Sequence, residues 1–295
     1  MERYFSDKKV IFVFIMPAFI LFTAVLLLPI CYSVYASLCE WNGITAPVFI
    51  GVKNYVTLFT KDDVMRIALK NSLFFAVFSV VAQQIIGLFM ASILMNIRRG
   101  RNVFKNIYYL PCVLSSAALG LLFSFFFNPK MGLNQVLSLL GVKGPLWLMD
   151  IKGFLPLPIW VIAFVATWQY MGSTMLLYMA AISGIPATVY EAAYIDGASK
   201  PAAFFRITLP LVRPMTKITI SLTLIGSLKF FDLVYNMTLG GPNKKTNVLA
   251  VFLYDQGFKY FKYGYASAIS VVLLALCLFV TLMTNKVIST ENYEY

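Results

Sequence analysis

The chain carries no histidine, and its four cysteines, Cys31, Cys39, Cys112 and Cys277, show no C-x-x-C spacing. Histidine-based acid–base chemistry is thereby excluded. Neither a zinc site nor a disulfide framework is read from these thiols, because a free cysteine in an apolar run behaves as a small hydrophobe. There is no G-x-S-x-G elbow, and no apolar stretch holds a pair of carboxylates. The nearest thing to a phosphate loop, Gly240-Gly241-Pro242-Asn243-Lys244-Lys245-Thr246, lacks the second glycine. What remains is binding chemistry. Thr167-Trp168-Gln169-Tyr170 with Ser173, and Ser227, Lys229, Phe230, Asp232, Tyr235 and Asn236, are polar and aromatic groups set in apolar sequence. Such groups line a water-filled cavity or hold helices together. Lys229 and Asp232, three residues apart, are able to pair on one helix face. Pairing relieves a cost of about 2.5–3.5 kcal/mol for a lone charge at mid-span, so a structural role is expected for them rather than a proton relay.

The elements that must hold these groups follow from composition. Of 295 residues, 60% are hydrophobic and 12% charged, against about 25% charged in a soluble domain. Lipid is the expected solvent for much of this surface. The net charge of +12 does not indicate nucleic acid, since 24 basic residues lie scattered between apolar runs without a groove or stripe. A membrane helix needs roughly 20 apolar residues. Six segments qualify, at residues 10–33, 73–95, 107–127, 157–182, 218–237 and 265–284. The first run is too long for the core of a cleaved signal peptide and is read as a retained helix. The prediction is an all-α, polytopic membrane protein forming one transmembrane domain over residues 1–295. Short basic loops set topology. Arg98, Arg99, Arg101 and Lys105 crowd one such loop, and every arginine except Arg66 falls on the same side. Both termini are therefore expected in the cytoplasm. Two loops on the other side, residues 43–59 and 128–153, are expected to contain short helices.

One segment, residues 185–214, interrupts the apolar pattern. Pro186 suits the start of a helix over residues 187–196, and Gly197 suits a left-handed cap at its end. Ser199 can cap a second helix with Pro201 in its first turn, while Pro210 and Pro214 mark the return to the membrane. Glu191 and Asp196 are its acidic charges, beside a run of alanines. A helix resting on headgroups favours lysine, so this composition suits a groove in a partner protein.

The same residues carry a resemblance. Glu191-Ala192-Ala193, Asp196-Gly197-Ala198, then Ile207, Leu209-Pro210 and Pro214 match the EAA pattern of permease subunits of binding-protein-dependent ABC importers. Gly51-Val52-Lys53-Asn54-Tyr55 resembles the family's G-x-K-N-Y, and Tyr109-Leu110-Pro111 begins the third span as in the family. Thr238-Leu239-Gly240-Gly241-Pro242 and Gly264-Tyr265-Ala266-Ser267-Ala268 are similar to its carbohydrate branch, the maltose-type permeases. The large outer domain of the maltose-type subunit itself is not matched, nor are its extra N-terminal helices.

The resemblance implies a type I ABC importer permease fold that translocates a sugar or oligosaccharide delivered by an external binding protein. Glu191, Ala192, Ala193, Asp196, Gly197 and Ala198 would couple to the ATPase, and Gln169, Tyr170, Ser173, Ser227 and Phe230 would contact the sugar. Sugars take hydrogen-bond partners for their hydroxyls and flat aromatic surfaces for their rings, and these two spans offer both. The implied partners are a second homologous permease, two ATPase subunits, the external sugar-binding protein and the lipid bilayer of the cell membrane. ATP and Mg would bind in the ATPase subunits. This chain would need no metal or cofactor and would not itself be an enzyme. Import of a glycerol-phosphate by the same family is the alternative. An ion-coupled secondary transporter is disfavoured, because such proteins commonly show paired internal repeats and none is visible.

Overall fold

The computed structural model describes residues 8–97 and 99–288, with residues 8–10 described by backbone only. Arg3 and Arg98, two of the arginines on which the expected topology rests, lie outside the described residues. The chain is built of helices, as apolar segments in lipid must be, because every backbone N–H and C=O needs a partner within its own segment. In order they are α1 (Lys8–Phe22), α2 (Leu28–Ser37), α3 (Lys53–Thr60), α4 (Asp63–Asn96), α5 (Arg101–Val113), α6 (Ser116–Phe126), α7 (Leu133–Leu139) and α8 (Leu157–Ser183). There follow α9 (Ala187–Ile195), α10 (Lys200–Ala203), α11 (Leu209–Leu211), α12 (Arg213–Leu228), α13 (Asp232–Thr238), α14 (Leu249–Tyr254) and α15 (Tyr263–Val287). Wide π turns join α1 to α2 over Thr23–Leu27 and α10 to α11 over Phe204–Thr208. Each ends two residues before a proline, Pro29 or Pro210. A proline ring crowds the carbonyl four residues back and leaves it without a donor, and a widened turn relieves that conflict.

Among the described residues, five helical stretches are long and apolar enough to cross a membrane: Ile11–Ser37, Asp63–Asn96, Leu157–Ser183, Arg213–Thr238 and Tyr263–Val287. The third expected span differs. It consists of α5 and α6, bent by 91° where Leu114 turns extended at φ −73°, ψ 145°. Pro111 lies one turn before this bend. The apolar composition runs unbroken through the corner, which is why residues 107–127 read as one straight span.

The fold divides into two compact units, Met1–Asp62 with Leu253–Val272, and Asp63–Phe252 with Leu273–Tyr295. In the first, β1 (Cys39–Glu40) pairs antiparallel with β2 (Val48–Phe49) just beyond α2. The G-x-K-N-Y stretch proves to be a staple. Buried Asn54 donates from Nδ2 to the carbonyls of Ser37 and Cys39, both at 2.9 Å. The Tyr55 hydroxyl lies 2.7 Å from Ser37 Oγ. Together they fix α3 against the end of α2. Gly264 packs on the Cys39 carbonyl so closely that a Cβ there would collide with it, which accounts for the glycine opening Gly264-Tyr265-Ala266-Ser267-Ala268.

In the second unit α4 lies along α8, with α12 against α4 and α5 against α8. Small residues allow this: a Cβ on Gly87 would sit 2.8 Å from Thr174 Cγ2, and one on Gly172 would strike the Tyr108 backbone. Close backbone approach of this kind drives helix association where no hydrophobic effect operates. Phe75, Ile159, Ile162, Val165, Leu233 and Val234 form one core, and Ala91, Met175, Tyr178, Met179 and Val212 form another. The loop after α13 is pinned by α4, where Asn71 Nδ2 donates to the carbonyls of Lys245 and Asn247 at 2.9 and 2.8 Å. Lys229 and Asp232 do not pair as expected. The helix breaks over residues 229–231, where Phe231 adopts φ −125°, ψ −60°. Both side chains are exposed, and among the described residues no ion pair joins them.

Candidate functional site

Three helices of the second unit, α4, α8 and α12, converge on a cavity of about 320 Å³. That is within the roughly 300–1,000 Å³ of small-molecule pockets. Helical spacing determines which residues reach it. Tyr170, Ser173, Thr174 and Leu177 of α8 follow an i, i+3, i+4, i+7 stripe, and Ser79 and Gln83 of α4 stand one turn apart. Ser227 projects from α12, and Phe230 from the break beyond it. The Phe230 ring is braced by Phe75, their centroids 5.4 Å apart. Among the described residues, no charged side chain lines the cavity.

Tyr170, Ser173, Ser227 and Phe230 are thus brought together, but Gln169 is not among them. It is 1% exposed and turned towards the corner between α5 and α6. There Nε2 donates to Ser116 Oγ at 2.9 Å and to the Leu114 carbonyl at 3.4 Å. Gln169, expected to contact the sugar, is placed at this corner instead of on the cavity, and the reason is physical. A bend at membrane depth frees backbone groups, and a neighbouring side chain must satisfy them. The Tyr170 hydroxyl also reaches the corner, 3.0 Å from Ser116 Oγ. Ser173 Oγ donates to the Tyr170 carbonyl at 2.7 Å.

Sequence reasoning missed the wall supplied by α4. Its signal was present, since Ser79 and Gln83 are polar residues one helical turn apart in an apolar run. Close by, buried Tyr178 donates to Gln84 Oε1 at 2.6 Å, and Thr219 Oγ1 donates to the same oxygen at 2.7 Å. One amide oxygen thereby ties α4, α8 and α12 together.

The segment following α8 is built as its residues dictate. The Gly197 N–H bonds the Tyr194 carbonyl at 3.1 Å and the Ala198 N–H bonds that of Ala193 at 2.9 Å, with Gly197 at φ +81°. These paired bonds are the Schellman closure of a helix. Ser199 Oγ accepts from the Ala202 N–H at 3.4 Å and caps α10. Tyr190 OH and Thr208 Oγ1, 2.9 Å apart, hold the two limbs together. Val189 and Tyr190 pack inward on the second core. Glu191, Ala192, Asp196 and Gly197 are exposed, Ala193 and Ala198 half-buried, and Ile195 stands 85% exposed beside them. The outward face of α9 therefore combines two carboxylates with small and apolar side chains.

Several membrane-spanning helices, a solute-sized cavity that mixes apolar side chains with hydroxyls, and a capped helix pair with an acidic outward face fit a membrane transport protein. Residues 83–289 match the family described as "Binding-protein-dependent transport system inner membrane component", and the chain belongs to that family. It is a permease of the ABC transporter class, spanning the membrane several times. It is 37% identical over 295 residues to the "Probable ABC transporter permease protein YurN" of Bacillus subtilis (strain 168), covering 98% of this chain and 99% of the relative. It is 32% identical to the "Lactose transport system permease protein LacF" of Rhizobium radiobacter, covering 94% of this chain and 92% of that one. Its fold is that of a chain in the crystal structure of a bacterial alginate ABC transporter in complex with an alginate pentasaccharide-bound periplasmic protein. The TM-score is 0.79 at 24% identity, with 96% of each chain covered.

Proposed function

We propose that this chain forms half of the translocation path of a sugar importer, receiving a sugar or oligosaccharide from an external binding protein. A second homologous permease completes the path. Two ATPase subunits bind ATP and Mg and hydrolyse the nucleotide, and this chain transmits their closure without catalysing a reaction. The outward face of α9, with Glu191, Ala192, Ala193, Asp196, Gly197 and Ala198, docks in the ATPase cleft, so both termini are cytoplasmic. Tyr170, Ser173, Ser227 and Phe230 contact the sugar. The observation that carries this reading is the cavity. An aromatic ring and several hydroxyls meet in a site that no charged side chain lines among the described residues, the combination that a sugar ring and its hydroxyls require, in a chain whose relatives include a lactose permease. An anionic glycerol-phosphate would find no cation among the lining side chains.

The test is reconstitution of the whole complex in proteoliposomes. Accumulation of labelled lactose, raffinose or maltotriose should require ATP on the ATPase side and binding protein on the other. Accumulation without ATP, or none of any saccharide, would contradict the proposal.

A further inference from the structure

The polar groups of the cavity are not equally available to a solute. Two residues assigned from the fourth span are already engaged within the protein, Tyr170 with Ser116 and Ser173 with its own helix. The groups with no such engagement lie elsewhere. Among the described residues, no hydrogen-bond partner within the protein is found for the hydroxyls of Ser79, Thr174 and Ser227, or for the Gln83 amide nitrogen. All four side chains are more than nine-tenths buried, at 3%, 3%, 8% and 5% exposure, and all line the cavity. Gln83 Oε1 receives only a long contact from Thr223, at 3.5 Å. A buried amide is costly when left unpaired, and this one offers both a donor and an acceptor to whatever enters.

We infer that the second span reads the substrate: Gln83, assisted by Ser79, is a specificity-determining contact for an uncharged polyhydroxyl compound. Ser79 and Gln83 form an i, i+4 pair on one face of α4 and present hydroxyl and amide together. Across the cavity, Thr174 and Ser227 add two more hydroxyls, and Phe230 supplies the flat surface. An amide surrounded by hydroxyls pairs with alcohol groups in either direction of donation. It cannot compensate the desolvation of a carboxylate, sulfonate or phosphate, which needs a paired cation. The cation nearest in sequence, Lys229, is exposed and does not line the cavity. The inference rests on the importer reading and deepens it.

The experiment uses the complete complex, purified with its second permease and ATPase subunits. Equilibrium binding of labelled lactose, raffinose and maltotriose is compared with that of trigalacturonate, and ATP-dependent accumulation is recorded on the same preparation. At least one neutral sugar should bind and trigalacturonate should not. Gln83→Ala should weaken that binding about 3- to 10-fold, the loss expected for one neutral hydrogen bond. Its melting temperature in detergent should stay unchanged, because among the described residues the long Thr223 contact is the one hydrogen bond of Gln83 within the protein. Ser79→Ala should weaken binding less. Equal binding of trigalacturonate, or unchanged binding by Gln83→Ala, would overturn the inference and leave the importer reading standing wherever accumulation persists. If the wild type accumulates no saccharide, the importer reading falls and the inference with it.

Discussion

Gln169 and Gln83 are the same side chain used for opposite purposes. Gln169 spends its amide on the corner of the third span, while Gln83 keeps its nitrogen for the cavity. Both are glutamines in apolar helices, and nothing in residue type tells them apart. Consecutive residues on a helix differ by about 100° in direction, so Trp168, Gln169 and Tyr170 cover most of the circumference, and the sequence does not say which one meets the solute. The structure decides only which of them lines the cavity, through the bend at Leu114, which no local sequence rule requires. Gln169→Ala should therefore act through stability. It leaves Ser116 and the Leu114 carbonyl without their donor, a loss of about 1–3 kcal/mol for buried groups. A lower melting temperature of the purified complex is expected, with sugar uptake per assembled complex unchanged. A drop in uptake without a drop in stability would return Gln169 to the path.

Among the elements, the helix pair of residues 185–214 was the most legible. Every turn of residues 185–214 is written in Pro, Gly and Ser, whose backbone preferences act locally, and the Schellman closure at Gly197 and the Ser199 cap follow from them. The spans were legible as apolar runs, but not the corner between α5 and α6 or the break at residues 229–231. Those depend on which neighbouring side chains satisfy the freed backbone, a tertiary matter. Gly197 offers a clean test of the coupling role. Among the described residues, no atom beyond its chain neighbours lies within 4 Å of where its Cβ would be, so substitution acts through the positive φ. Gly197→Val should cost the closure about 1–2 kcal/mol. Transport-linked ATP hydrolysis and uptake should fall together, while the binding protein still binds sugar. Gly197→Asn, which tolerates this conformation, should retain more of both. Uptake by the valine variant at the wild-type rate would remove the turn from the coupling mechanism.

At the scale of the whole molecule, orientation is argued from the basic residues grouped near Arg99 and Arg101 and from the proposed docking of α9. Ser199 and Asn243 are both exposed and lie at the two ends of the α10–α13 stretch. In a background whose native cysteines are replaced, Ser199→Cys should react with a membrane-impermeant maleimide only from the cytoplasmic side. Asn243→Cys should react only from outside. The reverse pattern would invert the assignment of every loop.

The central claim is that the cavity among α4, α8 and α12 is the solute path, and uptake per assembled complex tests it most directly. Ser227→Ala and Phe230→Leu remove a hydroxyl and a stacking face from the cavity, and leucine keeps most of the packing on Phe75. Ile162→Ala and Leu224→Ala instead alter side chains packed in the two apolar clusters. The cavity pair should assemble normally and transport several-fold more slowly, consistent with about 0.5–1.5 kcal/mol for each lost contact. The packing pair should lower the yield of complex, with about 2–5 kcal/mol lost at fully buried Ile162. Whatever assembles from the packing pair should transport at the normal rate. If the cavity pair loses only assembly and never uptake, those residues merely hold helices together and the sugar passes elsewhere.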